Sequence, residues 1–109
     1  MASRQLTAEK EQTVYSRDNF SFGPGIWVDE VERIFGSGGY SFKRVSPRTY
    51  HAVPERNNGH VARVVVSPSD GRGIIEVKHT SLEGRETSAE QITRIVTGLN
   101  ARKLEGEVK

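Results

Sequence analysis

Apolar positions along the chain follow two different rhythms. From Trp27 to Phe35 they recur at Trp27, Val28, Val31, Ile34 and Phe35, the spacing of one face of a helix. Pro24 suits a first helical turn, and Asp29, Glu30 and Glu32 lie in the forward half, where the dipole favours acids. Gly36-Ser37-Gly38-Gly39 is a strong stop. The pattern predicts a helix over about 25–35 that buries Trp27, Val31, Ile34 and Phe35.

From Tyr40 the period changes to two. Tyr40 and Phe42 alternate with Ser41 and Lys43, and Ser46-Pro47 reads as a turn. Tyr50, Ala52 and Val53 make a second short strand, and Asn57-Asn58-Gly59 a loop that tolerates positive φ. Val61 to Val66 is the most β-prone run, and Ile74 to His79 alternates Ile75 and Val77 with Glu76 and Lys78. Further on, Ala89, Ile92, Ile95, Val96 and Leu99 share a helical face. Thr87 or Ser88 is placed to cap that helix, Glu90 stands in capping-box position, and Gly106 ends it.

These elements predict an α+β fold: a four-stranded antiparallel β-meander with two helices on one face, in the order α-β-β-β-β-α. The connections are too short for parallel crossovers, which places both helices on the same side. Residues 22–104 form the expected domain. Residues 1–21 read as a flexible or loosely docked arm in which Thr7 caps a short turn over 8–13, and 105–109 read as a tail.

Composition narrows the chemistry. The chain has 109 residues and no cysteine, so disulfides, thiolate metal sites and a cysteine nucleophile are excluded. No signal-peptide core and no apolar run of membrane-spanning length is present, so a soluble cytoplasmic protein with no membrane partner is expected. His51, His60 and His79 lack ligand spacing, and neither a metal nor a cofactor is expected. The glycines of 36–39 follow a helix and precede no Lys-Ser/Thr, so they are a helix stop and not a phosphate loop.

Charge changes the picture more. The formal net charge is only +2. Yet between Tyr40 and Arg63 the cations Lys43, Arg44, Arg48, Arg56 and Arg63 face one acid, Glu55. If Phe42, Tyr50 and Val65 face the helices, then some of Lys43, Thr49, His51 and Arg63 fall on the open side. Lys43, Arg44, Arg48, His51 and Arg63 are therefore the candidate contacts for nucleic acid or a nucleoprotein, with arginines suited to phosphate and His51 to stacking or donation. A solvated sheet face has the same composition, so the patch alone is weakly specific.

Two other readings stand beside it. The first is a protein–protein interaction or inhibitor protein that uses Phe20 and Phe22 of "NFSFGPG", provided both are exposed. A homodimer joined through Val61–Val66 belongs here, provided that strand lies at an edge. The second is a ribonuclease-like, toxin-type domain with His51 as base and Glu55 or Glu76 as its partner. The helix, the "GY" strand and the His-bearing strand are loosely similar in arrangement to the small RNA-cleaving HicA family, whose fold resembles double-stranded-RNA-binding domains. That family usually has Gly-Ser before the His, whereas Pro47, Arg48, Thr49 and Tyr50 precede His51.

Overall fold

A computed structural model of the chain describes residues 14–56 and 59–104. In chain order the elements are β1 (Ser16–Phe22), α1 (Val28–Ser37), β2 (Tyr40–Ser46), β3 (Thr49–Pro54), β4 (His60–Val66), β5 (Gly73–His79), α2 (Leu82–Leu99) and β6 (Arg102–Lys103). The class is α+β with an antiparallel sheet, as expected. The sheet has six strands and not four, in the order β2-β3-β4-β5-β1-β6. The chain order is accordingly β-α-β-β-β-β-α-β.

The first of the extra strands corrects the expected arm. Ser16–Phe22 is no loose arm. It pairs with β5 along its whole length, from Ser16 opposite His79 to Phe22 opposite Gly73. Phe20 and Phe22 were hidden as strand residues because the alternating positions before them are Asp18 and Ser16, polar groups that also face the core side. β6 adds Lys103 opposite Phe20 and Arg102 opposite Ser21. The turn expected over 8–13 and the tail from 105 lie outside the described residues.

One side of the sheet carries the core. Phe20, Phe22, Tyr40, Ala52, Ala62, Val64, Val66, Ile75 and Val77 pack against Val31 and Phe35 of α1 and Ile95 and Leu99 of α2. Burying each large apolar side chain contributes roughly 1.5–3 kcal/mol. Phe35 meets Tyr40 edge-on at 5.2 Å between ring centroids and stacks on Phe42 at 5.5 Å. The two helices approach where small residues allow it: a Cβ on Gly38 would lie 2.7 Å from Ile95 Cδ1, and one on Gly98 3.1 Å from Ile34 Cγ2.

Both helix starts differ from expectation. α1 begins at Val28 with Trp27 as its cap residue in extended conformation. Trp27 is therefore outside the helical repeat and stays 48% exposed, not a core anchor, while Ile26 packs partly against the core. α2 begins at Leu82, where Ser81 Oγ accepts a hydrogen bond of 2.9 Å from the Gly84 amide, well before Thr87 or Ser88. The first half of its buried face is Gly84 and Ser88, too small to register as an apolar stripe. Smallness is needed there, because a Cβ on Gly84 would stand 3.0 Å from the Gly59 carbonyl oxygen. The helix ends at Asn100 in the left-handed conformation, ahead of Gly106.

A tight loop contact fixes the opposite end of the sheet. The Gly25 and Ile26 amides donate to the Asp70 and Gly71 carbonyls at 2.9 and 3.0 Å. Gly71 has φ +71°, and a Cβ there would lie 2.7 Å from both amide nitrogens. Only glycine fits both demands.

Candidate nucleic-acid interface

Strand register decides which cations share a face. Lys43 pairs with His51, His51 with Arg63, Arg63 with Glu76, and Glu76 with Asn19, so one row crosses β2, β3, β4, β5 and β1. Their chain neighbours Phe42, Ala52, Ala62, Val64, Ile75 and Phe20 point into the core cluster. The row therefore lies on the side away from both helices. Lys43, His51 and Arg63 are exposed there, as expected.

The same register adds cations that the sequence reading did not place. Lys78 pairs with Arg17 and Val61, and Arg102 pairs with Ser21, all on the open side. Five cations, Arg17, Lys43, Arg63, Lys78 and Arg102, then share the face with one carboxylate, Glu76, among the described residues. Glu76 is held between two of them, 3.5 Å from Arg17 Nε and 3.9 Å from Arg63 Nη1. Both arginines are about half exposed, so solvent screens these pairs and each contributes little. Lys78 was visible in the alternation of Ile75 and Val77. Arg17 and Arg102 required knowing that β1 and β6 are strands.

The remaining candidates separate. Arg44 lies opposite Tyr50, on the helix side, and its Nε donates to the Ser46 carbonyl at 3.2 Å. Arg48 sits in the β2–β3 turn and lines an open groove of about 540 Å³ with Ser21, Val65, Ser67, Arg72 and Ile74. That groove continues the open face at one end, and Arg72 there stands 3.7 Å from Asp70. Val65 faces this side and not the helices, because Val64 and Val66 take the core positions of β4. Phe20 and Phe22 are buried at 8% and 4% exposure, so the exposed aromatic patch posited for a protein partner does not form.

His51 has cations on both flanks, Lys43 and Arg63. Neither Glu55 nor Glu76 is its cross-strand neighbour. The other two histidines are core residues: His79 ends β5, as the alternation from Ile74 predicts, but it is buried, and His60 opens β4 and is buried too. His60 and His79 face each other on β4 and β5 at 6% and 1% exposure, with ring centroids 6.2 Å apart. His60 Nε2 and Tyr40 Oη share a hydrogen bond of 2.6 Å. His79 Nε2 donates to Asp18 Oδ2 at 3.1 Å, and Lys103 Nζ stands 3.4 Å from Asp18 Oδ1. Burial pushes the Tyr40 phenol far above its ordinary pKa. These polar groups form a run on the helix side of the sheet from Tyr40 on β2 to Lys103 on β6. Among the described residues no three His, Asp or Glu side chains form a group able to hold a metal ion.

No protein-family model and no curated protein matches the chain. Among the described residues no helix is long and apolar enough to cross a membrane.

Proposed function

We propose that this chain is a binding module whose open sheet face takes the phosphate backbone of a nucleic acid or nucleoprotein. One observation carries the reading. Among the described residues Arg17, Lys43, Arg63, Lys78 and Arg102 stand on one face against Glu76 alone, and no described element covers that face. A sheet needs polar residues on its solvent side but does not need them to be of one sign. Concentrated positive charge on a free surface attracts polyanions and speeds their encounter. Arg48 and Arg72 extend the same charge to the groove at the sheet's end.

Fluorescence anisotropy with labelled nucleic acid, at low and near-physiological salt, tests this reading. The intact chain binds, and binding weakens steeply as salt rises, because each phosphate contact releases a counterion. The double variant Lys43→Glu/Arg63→Glu loses about tenfold or more in affinity while keeping its fold. Absence of binding at low salt contradicts the reading.

A protein partner is the second reading, and one feature favours it. Among the described strands β2 lies at the sheet edge with β3 as its one neighbour, which offers its outer backbone groups to an added strand. Lys43 and Arg44 on that strand favour an acidic partner segment. Slowed amide exchange along Tyr40–Ser46 on adding the partner supports it. The homodimer through Val61–Val66 is not available in this form, because β4 is enclosed between β3 and β5.

A further inference from the structure

We propose that the ligand of the open face is a duplex, held through the phosphates of both its strands, and not an unstacked single strand. This rests on the preceding reading of the face as a phosphate-binding surface. Two features of the face, its side-chain types and its layout, point the same way.

The first is where the rings are. Proteins that bind single strands combine a cationic groove with aromatic platforms, and each stacked base contributes about 1–3 kcal/mol. Here Phe20, Phe22, Phe35, Tyr40, Phe42 and Tyr50 all lie in or against the core, on the helix side. Between the cations of the open face stand Thr49, Val53, Val61, Val65 and Ile74, none of which offers a π-face. His51 is the one ring on this face within the described strands. Tyr15 borders it one residue before β1, half exposed, with its amide donating to the His79 carbonyl at 2.6 Å. A ring at one corner and an imidazole between two cations cannot stack successive bases.

The second is the layout of the charge. The cations are not in single file. Lys43 is on one edge strand and Arg102 on the other, with Arg63, Lys78 and Arg17 on the strands between. Five strand spacings separate the edges, about 24 Å. A single strand offers one file of phosphates and meets only some of these cations. A duplex offers two files and twice the axial charge density, about one phosphate per 1.7 Å of axis. The short β-branched residues keep the face low, so the longer Lys and Arg side chains reach beyond them. RNA and DNA duplexes share this chemistry.

The test is competition at one fixed low salt concentration, with the full chain. RNA and DNA duplexes and their separated, non-self-pairing strands are compared at equal phosphate concentration. The expected result is duplex binding about tenfold tighter than either strand, for at least one sugar type. Lys43→Gln with Arg102→Gln, the two edges, weakens duplex binding severalfold and narrows the preference, whereas Tyr15→Ala leaves both within about twofold. Single strands that bind as tightly as the duplex, or a preference lost with Tyr15→Ala, overturn the duplex inference and leave the phosphate-binding reading in place. Binding by neither form overturns both.

Discussion

The two sides of the sheet are built from alternate residues of the same strands, yet they are organised by different physics. The helix side is a packed interior where Tyr40, Phe35, Phe42 and Tyr50 contact in series, the first pair edge-on and the other two stacked, with successive ring centroids 5.0–5.5 Å apart. The open side holds half-exposed charges, two of them paired with Glu76, among short β-branched residues. On the first side position matters to within a methyl group, because interiors are close-packed. On the second, charge sign matters and exact position matters little. Stability should therefore reside on one face and ligand affinity on the other.

Substitutions can break or sharpen that contrast. The largest loss is expected from Phe35→Ala, which empties a fully buried site between α1 and the rings of β2. Denaturant unfolding should show a loss of about 3–5 kcal/mol. Gly71→Ala comes next, because it combines a positive φ with a close approach to the Gly25 and Ile26 amides. A cost of about 1–3 kcal/mol is expected in the same assay.

Tyr40→Phe should cost about 1–2 kcal/mol at neutral pH by removing the hydrogen bond to buried His60. It should also change the response to alkali. Burial raises the folded pKa of Tyr40 above the ordinary 10.0. Above that ordinary value the unfolded chain releases the proton while the folded chain retains it. Stability contributed by Tyr40 is then fully present below about pH 10 and is lost as pH rises beyond it, by up to roughly 1.4 kcal/mol per pH unit. Urea titrations between neutral pH and strong alkali should show this loss in the wild type, and a smaller one in Tyr40→Phe.

The smallest stability effects belong to the open face. Lys43→Gln and Glu76→Gln should each change unfolding free energy by no more than about 0.5 kcal/mol. Their effects on binding should be opposite. Lys43→Gln removes a cation, whereas Glu76→Gln frees Arg17 and Arg63 and should tighten polyanion binding at low salt. If Lys43→Gln instead lowers stability by several kcal/mol, the division between the faces fails.

How far sequence patterns reach can be seen element by element. The meander from β2 to β5 was legible because Tyr40, Phe42, Ile75 and Val77 alternate cleanly with polar residues, and that alternation put Lys43 and His51 on the open face, whereas the place of Arg63 followed from the register of β4. β4 was legible as a strand but not in parity, since Val64, Val65 and Val66 give no alternation to read. β1 was missed because Asp18 and Ser16 occupy core-side positions, and Asp18 is satisfied there by His79 and Lys103, residues far along the chain. β6 consists of Arg102 and Lys103 and carries no apolar signal at all. The first turns of α2 were read as loop because close contact with Gly59 demands the small Gly84. In each case the missing information was a tertiary partner, and the cations lost with β1 and β6 were Arg17 and Arg102.

The most direct test of the account is the salt dependence of duplex binding by the wild type and by Lys43→Gln/Arg63→Gln, measured by anisotropy with the melting temperature recorded alongside. The account predicts an affinity that falls linearly on logarithmic axes, a slope shallower by about two in the double variant, and nearly equal melting temperatures. Binding whose slope is unchanged by the double substitution would contradict it, as would no binding at low salt.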